Sequence, residues 1–110
     1  LMANSILASE VSTVILACEA GMGSSLMSVN SLKKKLKKAN VTSVKVIHKP
    51  ARDVPANAQV VIVHKGLAKV VRSKVPDAVV VTFNHFLNDP AFDKLVQAFV
   101  DGSEIVSTEG

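Results

Sequence analysis

The chain alternates short, β-branched apolar runs with segments whose apolar residues recur every three or four positions, and that alternation restricts the fold more than any other feature. Residues 12–17 (STVILA), 43–48 (SVKVIH), 59–63 (QVVIV) and 78–82 (AVVVT) have the length and composition of strands, three of them apolar enough to be covered on both faces. Between the first two runs, Met22, Leu26, Val29, Leu32, Leu36 and Ala39 form one helical stripe, which Asn40 ends. Leu67, Val70, Val71 and Val75 mark a shorter helix stopped by Pro76. A third helix starts at the Asp89-Pro90 cap, carries Phe92, Leu95, Val96, Phe99 and Val100, and stops at Gly102. Strands alternating with helices, joined by right-handed crossovers, give a parallel sheet. The predicted fold is therefore an α/β three-layer sandwich with helices on both faces. Its four-stranded parallel sheet has the order 2-1-3-4, counted from the 12–17 run.

The ends carry less signal. Residues 1–10 lack a clear period and open with Leu before Met, reading as a cloning remnant or the end of a linker, as in a piece of something larger. Residues 11–102 form the predicted domain and residues 103–110 a flexible polar tail. No apolar run approaches the roughly 18 residues of a membrane-spanning helix.

Charge and cysteine content exclude several function classes. Residues 1–75 hold 12 basic side chains against Glu10, Glu19 and Asp53, whereas residues 76–110 hold Lys94 against six carboxylates. Such a split suits an anionic partner on one face, or simply a solvated lysine-rich helix beside an acidic tail. Nucleic acid is a poor partner, because the chain has no Trp or Tyr and only two arginines. A single cysteine, Cys18, excludes an internal disulfide and any multi-cysteine zinc site. His48, His64 and His85 have no spacing that would join Cys18 around one metal. No metal and no cofactor is expected.

Cys18 ends the first strand run and is followed by Glu19, Ala20, Gly21, Met22, Gly23, Ser24 and Ser25, which lead into the first helix. A thiol in that place faces unpaired backbone N–H groups and the positive end of a helix dipole, a setting that favours the nucleophilic thiolate. Gly21 and Gly23 let successive N–H groups turn inward as an anion nest, and Ser24 and Ser25 add hydroxyl donors. Glu19 opposes both effects unless its side chain turns outward. The loop is no Walker motif, since it lacks the Gly-Lys-Ser/Thr end, and no dinucleotide fingerprint, since it lacks the third glycine. A cysteine phosphatase has Arg where Ser24 stands, and without that bidentate clamp the hydrolytic transition state loses its support. Three readings stay open on these residues: a phosphoryl carrier, a non-covalent small-anion or nucleotide-binding module, and a cysteine-dependent phosphatase.

The run Cys18-Glu19-Ala20-Gly21-Met22-Gly23-Ser24-Ser25 resembles the enzyme IIB component of the bacterial sugar phosphotransferase system (PTS), above all its mannitol-specific branch. The likeness extends to the 60–65 run (VVIVHK) and to Val75-Pro76 and the 82–87 run (TFNHFL), covering roughly residues 12–100. Glu19 stands where that branch often has Asp. The resemblance implies a phosphotransferase in which Cys18 takes a phosphoryl group from a phosphohistidine of the IIA partner. The phosphocysteine then passes it to a hexitol, mannitol above all, presented by the membrane-embedded IIC unit. Backbone amides of Glu19 to Ser25 would bind the phosphoryl oxygens, and His64 and Lys65, at the end of the third strand run, are possible auxiliaries. A domain of this kind sits on the cytoplasmic side, tethered to or docking on IIC. Met22 is a possible contact for IIA, and the lysine run could steer an acidic partner or an anionic lipid surface.

Overall fold

The computed structural model describes residues 4–19, 23–85 and 89–108, and of residues 23–25 the backbone alone. In chain order the elements are β1 (Ser5–Leu7), β2 (Thr13–Cys18), α1 (Gly23–Lys38), β3 (Lys45–Pro50), β4 (Val60–His64), α2 (Ala68–Lys74), β5 (Val79–Phe83), α3 (Pro90–Asp101) and β6 (Glu104–Val106). Strands β2 to β5 form a parallel sheet in the order β3-β2-β4-β5, which is the order expected from the sequence. β2 pairs with β3 from Thr13↔Lys45 to Cys18↔Pro50, and with β4 from Val14↔Val60 to Ala17↔Val63.

The pleat divides the core into two layers. Val14, Leu16 and Cys18 join Val60, Ile62, Val79 and Phe83 beneath α1 (Val29, Leu32, Leu36) and α3 (Phe92, Leu95, Ala98). Ile15 and Ala17 join Val61, Val63 and Val80 against α2 (Ala68, Val71), Val54 and Val75. Alternate residues of each strand therefore serve opposite helices, and a one-residue slip of β2 would exchange the two layers.

Helix ends obey local rules. Asn40 takes a left-handed φ of 61°, the Val41 N–H reaches the Leu36 carbonyl and the Asn40 N–H that of Lys37, the pair of bonds that closes a Schellman cap. Lys35, Lys37 and Lys38 fill the last turn of α1, where the helix dipole favours cations.

Several expectations need correction. Leu26, Val70 and Val100 were expected on buried stripes, yet each is about half exposed. Each step of three residues rotates a stripe by about 60°, so two such steps from Leu32 carry Leu26 off the buried face. β3 runs on to Pro50, where the sequence reading starts a loop at Lys49. Proline is admissible there because β3 is an edge strand. The two ends depart furthest from expectation. β1 and β6 pair antiparallel, Ser5↔Val106 to Leu7↔Glu104, and Ala8, Val11 and Ile105 are buried in the core. Residues 5–8 and 104–108 thus contribute a strand pair and the buried Ala8 and Ile105. Thr108 N–H donates to the Val80 carbonyl, and the hydroxyls of Ser107 and Thr108 accept from the N–H groups of Val80 and Thr82. Arg72 donates to the Thr108 carbonyl. The tail so covers part of the outer edge of β5.

Candidate active site

β2 occupies the point where chain order reverses. The chain leaves it for β3 on one side and later returns to β4 on the other, the place where open α/β sheets generally bind their ligands, beyond the strand's carboxyl end. Cys18 is the last residue of β2. The pleat turns its side chain to the α1 side, and α1 itself begins five residues later, at Gly23. Cys18 is 8% exposed, more covered than an open-loop nucleophile, because it belongs to the strand and continues the Val14, Leu16 alternation. Its Sγ–H donates to the Lys49 carbonyl oxygen at 3.6 Å, a weak bond that the two-residue extension of β3 makes possible.

Glu19 is exposed, which removes the objection that its charge must face the thiol. Ala20, Gly21 and Met22 of the expected anion cradle lie outside the described residues, as do the side chains of Ser24 and Ser25. Lys49 and Lys65 stand at the carboxyl ends of the strands flanking β2, and Lys65 is exposed. His48 and His85 are both exposed.

His64 ends β4, the strand beside β2. The last bonded pair of β2 and β4 is Ala17↔Val63, so His64 follows it on β4 as Cys18 does on β2, and the pleat gives the two residues the same face of the sheet. The ring is engaged at both nitrogens. Nδ1 accepts from the Gly66 N–H at 3.1 Å, and Nε2 lies 3.1 Å from the Asn84 carbonyl oxygen. A backbone N–H only donates and a carbonyl only accepts, so the proton sits on Nε2. The ring also meets Phe83 edge-on, with centroids 5.7 Å apart.

Asn84 is in turn held by Asp89. The Asp89 carboxylate is 4% exposed and accepts from the N–H groups of Asn84 (2.7 Å), His85 (3.0 Å) and Ala91 (2.8 Å). Burial pushes its carboxyl upward, but the three N–H bonds and the nearby His85 charge outweigh it and hold the group below the ordinary carboxylate range. The sequence marked Asp89 as a helix cap. Its second task, closing the turn after β5, has no signal in a dipeptide, because it depends on how far back the chain folds. A bracket from Asp89 through Asn84 and His64 to Gly66 thus ties the carboxyl ends of β4 and β5 together.

These features define a small α/β domain organised around a strand-end cysteine at a topological switch point. Residues 13–98 match the family model described as PTS system, Lactose/Cellobiose specific IIB subunit. The chain belongs to the PTS IIB family. It is 40% identical over 89 residues to the PTS system mannitol-specific EIICB component of Staphylococcus saprophyticus, which covers 81% of this chain and 18% of that protein. The EIICB component of Bacillus subtilis is 38% identical over 87 residues, 79% of this chain and 18% of its own length. The mannitol-specific EIICBA component of Buchnera aphidicola is 34% identical over 93 residues, 84% of this chain and 15% of its own. The chain therefore spans less than a fifth of the length of these relatives. Among the described residues no helix is long and apolar enough to cross a membrane.

Proposed function

We propose that this domain is a phosphoryl carrier in mannitol uptake, with Cys18 as the covalent carrier, the cradle 19–25 as its anion site, and IIA and IIC units as donor and acceptor. One observation carries the reading. The sole cysteine of a PTS IIB chain ends the strand at the switch point, on the face where α1 begins. The relatives' names supply mannitol, since the family description itself speaks of lactose and cellobiose.

In the first step the Cys18 thiol leaves the Lys49 carbonyl, loses its proton, and its sulfur attacks the phosphorus of a phosphohistidine on IIA. The S–P bond forms as the N–P bond breaks, and the departing imidazole takes up a proton. In the second step a hexitol hydroxyl on IIC attacks the same phosphorus, its proton is released, and the thiolate is restored. Phosphoryl transfer demands positioning and charge stabilisation more than covalent chemistry from the protein. The amides of residues 19–25 and the charges of Lys49 and Lys65 suit that demand. His64 acts as a positioning residue, since the bonds of its ring to Gly66 and Asn84 serve the shape of the site. Ser24, in place of an arginine, leaves hydrolysis of the phosphocysteine without its clamp.

Incubation with phosphoenolpyruvate, the general relay proteins and a IIA partner should add one phosphoryl group by intact mass, and Cys18→Ser should gain none. An adduct on Cys18→Ser, or no adduct on the parent chain, would sink the proposal. Sustained turnover of p-nitrophenyl phosphate by the isolated chain would point to the phosphatase instead.

A further inference from the structure

α1 is a helix of two unlike halves. Its outer face carries the half-exposed Leu26 and Met27 near the site end, and then Lys33, Lys34, Lys37 and Lys38, all exposed. Successive helical residues are 100° apart, so these four lysines spread over about 140° of the solvent side, opposite the Val29, Leu32, Leu36 stripe. Lys35, between them, is turned towards α3 and pairs with Asp93 at 2.8 Å. Among the described residues no ion pair involves the other four. Lys37 and Lys38 lie about 20 Å along the helix from Gly23, and so at the amino end of the sheet, where Lys45 opens β3 and donates its N–H to the Ser12 carbonyl. No acidic residue occurs between Glu19 and Asp53. The phosphoryl-carrier site has no use for this basic pole, which lies at the opposite end of the sheet from Cys18.

The character of the pole selects its partner. Lysine is depleted in protein–protein interfaces, whose centres are aromatic, methionine- or arginine-rich. Nucleic acid binding of single strands wants stacking platforms that the pole lacks. Flexible ammonium groups on a convex helix surface, without a groove or an arginine fork, suit a diffuse sheet of negative charge. We propose that the basic pole of α1 docks on an anionic phospholipid surface. The docked domain then presents Cys18 away from the lipid for loading by the donor, and leaves the lipid surface to turn Cys18 to IIC. This orientation rests on the phosphoryl-carrier reading, whereas the docking itself does not.

The test is sedimentation of the chain with vesicles of phosphatidylcholine alone or mixed with phosphatidylglycerol. Each lysine near an anionic surface adds about fivefold to binding, an attraction that salt screens. The chain should co-sediment with the anionic vesicles about tenfold or more better than with neutral ones at low salt, and should be released at about 0.5 M salt. Lys37→Gln/Lys38→Gln should weaken binding about tenfold or more. The matched removal of two charges from α2, Lys69→Gln/Lys74→Gln, should change it by about twofold at most. Cys18→Ser should bind like the parent, so failure here and failure of phosphoryl transfer are separately visible. Equal sedimentation with both vesicle types, equal losses in the two double variants, or tighter binding to duplex DNA than to the anionic vesicles at the same salt would overturn the proposal.

Discussion

Asp89 is the residue on which the order of the site most depends. It is a buried carboxylate that answers three backbone donors, and its removal leaves those part-buried donors unpaired. Asp89→Asn replaces one of two accepting oxygens by a donor, and should cost about 2 kcal/mol at neutral pH. The pH dependence follows from the direction of its shift. Its folded carboxyl titrates below the unfolded one, so its contribution is complete above the unfolded value near about 4 and is lost as pH falls through the folded value. Urea unfolding at a series of pH values should therefore show parent and variant separated at neutrality and converging in acid. A gap that stayed constant down to the acid limit would remove the carboxylate from this role.

At the scale of elements, the α3 stop offers a clean measure of backbone geometry. Gly102 has φ 66°, and a Cβ added there would meet nothing within 4 Å. Gly102→Ala should thus cost about 1 kcal/mol from conformation alone, read as a lower urea midpoint at unchanged slope. A loss several times larger would mean that the helix end is also packed. The same stop was plain in the sequence, as were the strands: 12–17 and 59–63 are apolar on consecutive positions because both faces are covered. Leu26, Val70 and Val100 were misplaced since a spacing of three or four marks a stripe without saying how far it drifts. β1 and β6 were invisible for another reason. Three residues such as Ser5-Ile6-Leu7 show no period, and their strand character comes from a partner about a hundred positions away. Cys18 itself and the helix start were legible. The covered state of the thiol and the His64 to Asp89 bracket were not, because both arise from the extension of β3 and the return of a turn.

On the scale of the whole molecule, the chain ends act as a cover for the sheet. β5 is an edge strand, and residues 104–108 supply it with a buried Ile105, hydroxyl acceptors and the Thr108 N–H. Removal of residues 104–110 should cost about 3 kcal/mol and should promote association through the bare edge, visible as concentration-dependent sedimentation. A truncated chain as stable and as monomeric as the parent would reduce the tail to an ornament. The same molecule holds a covered thiol at one pole and a lysine-rich helix end at the other. At the first pole Cys18 and His64 end the adjacent strands β2 and β4, and both belong to residue types that can carry a phosphoryl group. Phosphorus NMR of the chain after loading from phosphorylated IIA separates them directly. A Cys18 carrier gives a single S-phosphoryl resonance, absent from Cys18→Ser and kept in His64→Gln, whereas an N-phosphoryl resonance that survives in Cys18→Ser and vanishes in His64→Gln would make His64 the carrier instead.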